Sequence, residues 1–116
     1  MPIHKILVVD DSKTELHHLS DLLGKRGYVV RTAENGEEAM RRLTEDKPDL
    51  ILMDVVMPGQ NGFQLTRAIT RDPRFADVPV MAAYLCLIAL IFVGAKDYIV
   101  KPVNADELVS KIRAFD

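Results

Sequence analysis

Leu50-Ile51-Leu52-Met53-Asp54-Val55-Val56-Met57-Pro58-Gly59 decides how this chain reads. Ile51, Leu52 and Met53 are too apolar and too few for a surface helix. They predict a central strand buried on both faces. The run delivers one carboxylate, Asp54, and then breaks at Pro58 and Gly59, which start a loop. An acid there lies at the carboxyl end of a parallel strand, where open α/β sheets bind their ligands.

On either side of this run, strand-like and helix-like segments alternate. Ile3 to Val9 is apolar with a β-branched bias and ends in Asp10-Asp11. Ser12 and Glu15 then have the capping-box spacing, and Leu16, Leu19, Leu22 and Leu23 recur at helical intervals. Gly24 or Gly27 ends that helix. Tyr28 to Thr32 predicts a second strand. Asn35 and Glu38 open a second helix with Ala39, Met40 and Leu43 inside. Pro48 closes the connection to the central strand. Beyond it, Asn61 caps a third helix with Leu65, Ala68 and Ile69 buried, and Asp72-Pro73 ends it. Val78 to Ala83 and Asp97 to Lys101 predict the fourth and fifth strands, with Pro79 near the start of the fourth. Asn104 and Glu107 open a final helix whose stripe is Leu108, Val109, Ile112 and Phe115. This order predicts a single α/β domain over 1–116, with a parallel sheet and helices on both faces.

One stretch breaks the pattern. Tyr84 to Val93 has no cap, no charge and no polar face, so the fourth of five helices is atypical. With the preceding strand the uncharged run reaches Ala95, about the length of a minimal membrane span. It contains Pro79, and its insertion would tear the sheet apart, so no membrane span is expected. Leu85–Val93 reads as a distorted buried helix, as an apolar patch that pairs two subunits of an otherwise monomeric protein or swaps elements between them, or as a stretch that departs from the natural sequence.

Composition bounds the function. The 116 residues suffice for one domain with a real core. The 15 basic and 17 acidic residues give a net charge of -2 with no basic stripe, which argues against nucleic acid as a partner. A lone cysteine, Cys86, excludes an internal disulfide and reads as an inert buried thiol in a reducing compartment. No signal-peptide pattern precedes the first strand, and a cytoplasmic location is expected. His4, His17 and His18 have no metal-ligand spacing and read as surface or packing residues.

The chemistry lies at the strand ends. Asp10 and Asp11 end strand one, Asp54 ends strand three, and Lys101 ends strand five. If the strand order is 2-1-3-4-5, these groups face one crevice. Three converging carboxylates repel, and a divalent cation resolves the conflict. An oxygen-only donor set favours Mg²⁺, and Lys101 suits a phosphate oxygen. A carboxylate nucleophile, a metal and a cation are what phosphoryl transfer to an aspartate requires. No glycine-rich phosphate loop is present, so nucleotide binding is not indicated.

Val8-Val9-Asp10-Asp11-Ser12, Leu52 to Gly59, Gly62-Phe63 and Tyr98-Ile99-Val100-Lys101-Pro102 together resemble a two-component response-regulator receiver domain. The likeness covers nearly the whole chain except Met81 to Val93. It is strongest to stand-alone receivers of chemotaxis and of type IV pilus twitching motility. The resemblance implies a flavodoxin-like doubly wound five-stranded sheet of order 2-1-3-4-5. It implies Asp54 as phosphoacceptor, Asp11 as direct Mg²⁺ ligand with Asp10 assisting through water, and the Val56 carbonyl as a further ligand. Lys101 would contact the phosphoryl group, and Tyr98 would be the aromatic switch. A sensor histidine kinase or phosphotransfer protein would donate, a downstream protein would be the target, and the only reaction catalysed would be the domain's own phosphorylation and dephosphorylation.

Two departures bear on the switch. Tyr84 stands where the family has Thr or Ser, and its ring would carry the hydroxyl too far. The segment from Tyr84 to Lys101 is also shorter than the family pattern by ~5 residues, more than one helical turn. The rival reading is therefore a phosphorylation-independent interaction or dimerisation module on the same fold. A Mg²⁺-dependent phosphatase of similar architecture ranks below both, because a substrate-binding cap is absent.

Overall fold

A computed structural model of the chain describes residues 2–54, 62–84, 97–100 and 104–116; the side chains of residues 63, 83, 84 and 97–100 fall outside that description. The described elements are β1 (Lys5–Val9), α1 (Lys13–Gly24), β2 (Val29–Ala33), α2 (Gly36–Glu45), β3 (Leu50–Asp54), α3 (Gly62–Arg71), β4 (Val80–Tyr84), β5 (Asp97–Val100) and α4 (Ala105–Arg113). All strands are parallel, in the order β2-β1-β3-β4-β5.

The alternation of side chains along a strand sorts the core into two layers. Leu7, Val9, Ile51, Met53 and Val80 face one way and meet Ala39 and Leu43 of α2 and Leu65 and Ile69 of α3. Ile6, Val8, Leu50, Leu52 and Met81 face the other way and meet Leu16, Leu19 and Leu23 of α1 and Leu108 and Ile112 of α4. β3 is covered on both sides, and every one of its five residues is buried. That is why its sequence is apolar throughout and not alternating.

Three of the expected caps form. The Ser12, Asn35 and Asn104 side chains accept the N–H of Glu15, Glu38 and Glu107 at 3.2, 2.8 and 3.0 Å. Asn61 and the 85–96 stretch lie outside the described residues.

Several boundaries move. β1 begins at Lys5 and not Ile3, and β2 shifts by one residue to end at Ala33. α1 runs through Gly24; the left-handed turn residue is Gly27, with φ 92°, where a side chain would be strained. Pro79 precedes β4 and uses only its carbonyl, which accepts the Ile51 N–H at 3.0 Å. On α3, Ala68 is exposed and Thr66 is buried, because the buried stripe runs through Leu65, Thr66 and Ile69.

The amino ends of the strands are fastened by two carboxylates. Asp49 Oδ2 accepts the N–H groups of His4 and Lys5, both at 2.9 Å, so the entry to β3 clamps the entry to β1. Asp116 Oδ1 accepts the Ile3 N–H at 2.7 Å and joins the two ends of the chain. The Lys5 N–H, with that of His4 and both cationic neighbours, holds the Asp49 carboxyl below its ordinary value against the opposing effect of partial burial. A depressed carboxyl stabilises the fold above the ordinary carboxylate range and loses that contribution as pH falls through it. Acid unfolding followed by circular dichroism should therefore show Asp49→Asn losing less stability than the parent as pH drops below about 4. Parallel acid limbs for the two proteins would contradict this.

Candidate functional site

The register of β1 against β3 builds the site. Val9 is opposite Met53, and the next residue on each strand is Asp10 and Asp54. Neighbouring strands are about 5 Å apart, so two carboxylates at the same level meet at the carboxyl edge of the sheet. One ligand oxygen from each of Asp10, Asp11 and Asp54 lies within 4.8 Å of the others. Asp10 and Asp54 are buried, 2% and 6% exposed, while Asp11 is exposed and faces solvent at the rim.

Asp10 is held in two ways. Its N–H donates to the Ala33 carbonyl at 3.1 Å, extending the β1–β2 pairing by one bond. Its Oδ1 accepts the Ser12 N–H at 3.0 Å, an Asx turn that rotates the chain from β1 into α1. Ser12 thus braces one acid through its backbone and caps α1 through its hydroxyl. The capping role is visible in the Ser12–Glu15 spacing, whereas the bracing role is absent from the sequence expectations. The Asp-x-Ser spacing could have shown it. The amino end of α1 begins beside the acids, and its dipole favours negative charge there.

The donor set fits a small hard cation. Oxygens bound to one Mg²⁺ at about 2.1 Å can be no more than about 4.2 Å apart, close to the observed spread. Three carboxylates, two of them buried, also match the ion's preference for oxygen ligands with some waters retained. Asp10, Asp11 and Asp54 would hold it.

The remaining expected site residues are placed in part or not at all. Val56 and Lys101 lie outside the described residues. Asp54 pairs in register with Ala83 of β4, and Tyr84 follows as the last residue of that strand. Tyr84 is opposite Val100, and Tyr98 is opposite Ala82, so the two tyrosine positions fall on neighbouring strands two steps apart. His4, His17 and His18 are exposed.

Residues 6–113 match the family model for the response regulator receiver domain. The chain belongs to that family. Among relatives of this receiver, Protein PilH of Pseudomonas aeruginosa is 42% identical over 115 residues, with 95% of each chain covered. Chemotaxis protein CheY of Bacillus subtilis is 37% identical over 113 residues, with 94% of each covered. The crystal structure of chemotaxis protein CheY4 from Vibrio cholerae superposes with a TM-score of 0.91 at 28% identity, covering 98% of this chain and 99% of that one. The receiver is therefore flavodoxin-like in fold, and its near-full-length likeness is to stand-alone receivers of the chemotaxis type. The family is one of signalling domains. No helix among the described residues is long and apolar enough to cross a membrane.

Proposed function

We propose that this receiver accepts a phosphoryl group on Asp54 in a Mg²⁺-dependent step and signals by binding another protein, in chemotaxis or pilus motility. The observation that carries the reading is the convergence of Asp10, Asp11 and Asp54 within 4.8 Å at the carboxyl edge of the sheet. A sensor histidine kinase or phosphotransfer protein is the donor. An Asp54 carboxylate oxygen attacks phosphorus, the P–O bond of an acyl phosphate forms, and the P–N bond of the donor phosphohistidine breaks. The bonding pair returns to the imidazole, which takes up a proton from solvent. Bound Mg²⁺ neutralises charge on the phosphoryl oxygens, which is the main electrostatic requirement of such transfers.

The residues divide the work. Asp54 is the nucleophile. Asp11, at the rim, and Asp10, braced by Ser12, would hold the metal with Asp54, and the Val56 carbonyl would add a ligand. Lys101 balances the phosphoryl charge. Tyr84 and Tyr98 form the switch that reports the modification to the partner surface. The domain turns over only its own aspartyl phosphate, in the cytoplasm.

A second reading is favoured by Tyr84, which ends the strand paired with β3 where the family carries a small hydroxyl residue. In that reading the acid site persists, but binding to the partner does not depend on phosphorylation. Intact mass after incubation with acetyl phosphate separates the two. The first reading expects a gain of one phosphoryl group that disappears when Mg²⁺ is removed by chelation. No gain at saturating Mg²⁺ would leave the interaction module in its place.

A further inference from the structure

We propose that the outward ridge of α3, Arg67 and Arg71, is a docking surface for an acidic helical segment of a partner protein, separate from the acid site. Leu65 and Ile69 set the buried side of the helix. Arg67 and Arg71 project from the opposite side, one turn apart, and both are exposed. The helix Gly62–Arg71 contains no acidic residue at all. Like charges four residues apart repel, and no acid on the helix answers them.

Most of the other described cations are ion-paired, Arg41 and Arg113 being further exceptions. Lys13 of α1, Lys25 just beyond it, Arg42 of α2 and Arg74 all form ion pairs. Arg67 and Arg71 form none with a described residue. The acid nearest in sequence, Asp72, is engaged by Arg74 at 2.7 Å and its pKa is lowered by that contact. A chain of net charge -2 thus presents a local basic ridge.

The chemistry of the ridge selects the occupant. The two arginine positions are spaced about 6 Å along the helix axis, the rise of four residues, which matches Glu at i and i+4 of a second helix. Each can take a carboxylate in a two-pronged hydrogen-bonded pair. A lipid surface fits less well, because Val29 on β2 is the one exposed large hydrophobic among the described residues and α3 offers none to insert. Nucleic acid fits less well because so few cations would neutralise few phosphates.

The test uses the full ¹⁵N-labelled chain and two alanine-based helical peptides, one with Glu at i and i+4 and one with Gln in those places. The Glu peptide is expected to shift the amides of Gln64, Arg67, Ala68 and Arg71, to weaken with rising ionic strength, and to bind R67E/R71E about tenfold less tightly. The Gln peptide is expected to shift nothing. R67Q/R71Q serves as a second variant if charge reversal disturbs the fold, and circular dichroism and acetyl-phosphate labelling should be unchanged in both. Shifts centred on another element, or equal binding by the variants, would overturn the proposal. So would self-association of the parent lost in R67E/R71E, or stronger arginine-dependent binding to phosphatidylserine vesicles than to the Glu peptide.

Discussion

Asp54→Asn protein incubated with acetyl phosphate and Mg²⁺ is expected to gain no phosphoryl group, where the parent gains one per chain. Asn keeps the volume and shape of the side chain at the end of β3, a position only 6% exposed, so the fold around it should be preserved. What it loses is the negative oxygen that attacks phosphorus and one of three ligands for the metal. The first loss is complete, because an amide is not a competent nucleophile here. The second should appear separately as weaker Mg²⁺ binding by calorimetry. A phosphoryl group still gained by the variant would move the acceptor elsewhere, and peptide mapping would find it.

Ile51→Ala should lower the unfolding free energy by about 3–4 kcal/mol, within the range for removing a large aliphatic side chain from a core that cannot collapse. Ile51 has no exposed surface. It pairs with Leu7 of β1 on one side and Val80 of β4 on the other, and its side chain is enclosed by the α2 and α3 layer. A domain of this size is stable by about 5–15 kcal/mol in all, so this one change removes a large share. Val29→Ala is the control, since Val29 is 48% exposed on the edge strand. Its effect should stay within about 0.5 kcal/mol. Urea unfolding of both variants checks the contrast, and a small effect at Ile51 would mean that the core closes over the space left behind.

The parts of the fold that were legible in the sequence are those fixed by local chemistry. An apolar run ending in one acid reads as a buried strand because few other structures accept it. Ser12, Asn35 and Asn104 read as caps because their short side chains satisfy orphan N–H groups. The acid site was legible because the alternation of elements brings the ends of parallel strands to one edge. What escaped depended on tertiary context. Asp10 and Asp11 are chemically alike, yet one is buried and one exposed. The difference is set by where β1 gives way to the Asx turn with Ser12. Thr66 and Ala68 differ by about half a helical turn, and helix rotation against β3 decided which went inside. The part played by Asp49 was not legible, because nothing local shows that it will meet the N–H groups of His4 and Lys5. Tyr98 falls within the expected fifth strand, whereas Tyr84, expected just past the fourth, is its last residue; their place two steps apart needed the register.

The hydrogen bond from Ile3 to Asp116 has a topological consequence. It lies at the amino edge of the sheet, the edge away from the three acids. A short peptide joining the two ends of the chain would span almost no distance, and new ends could be opened in an exposed turn such as the one around Gly27. In such a circular permutant β1 and β3 would still lie side by side, although they would no longer be made in the same order. The acid cluster depends on which strands are neighbours and not on which is synthesised first, so its chemistry should survive a change in the direction from which the chain is threaded.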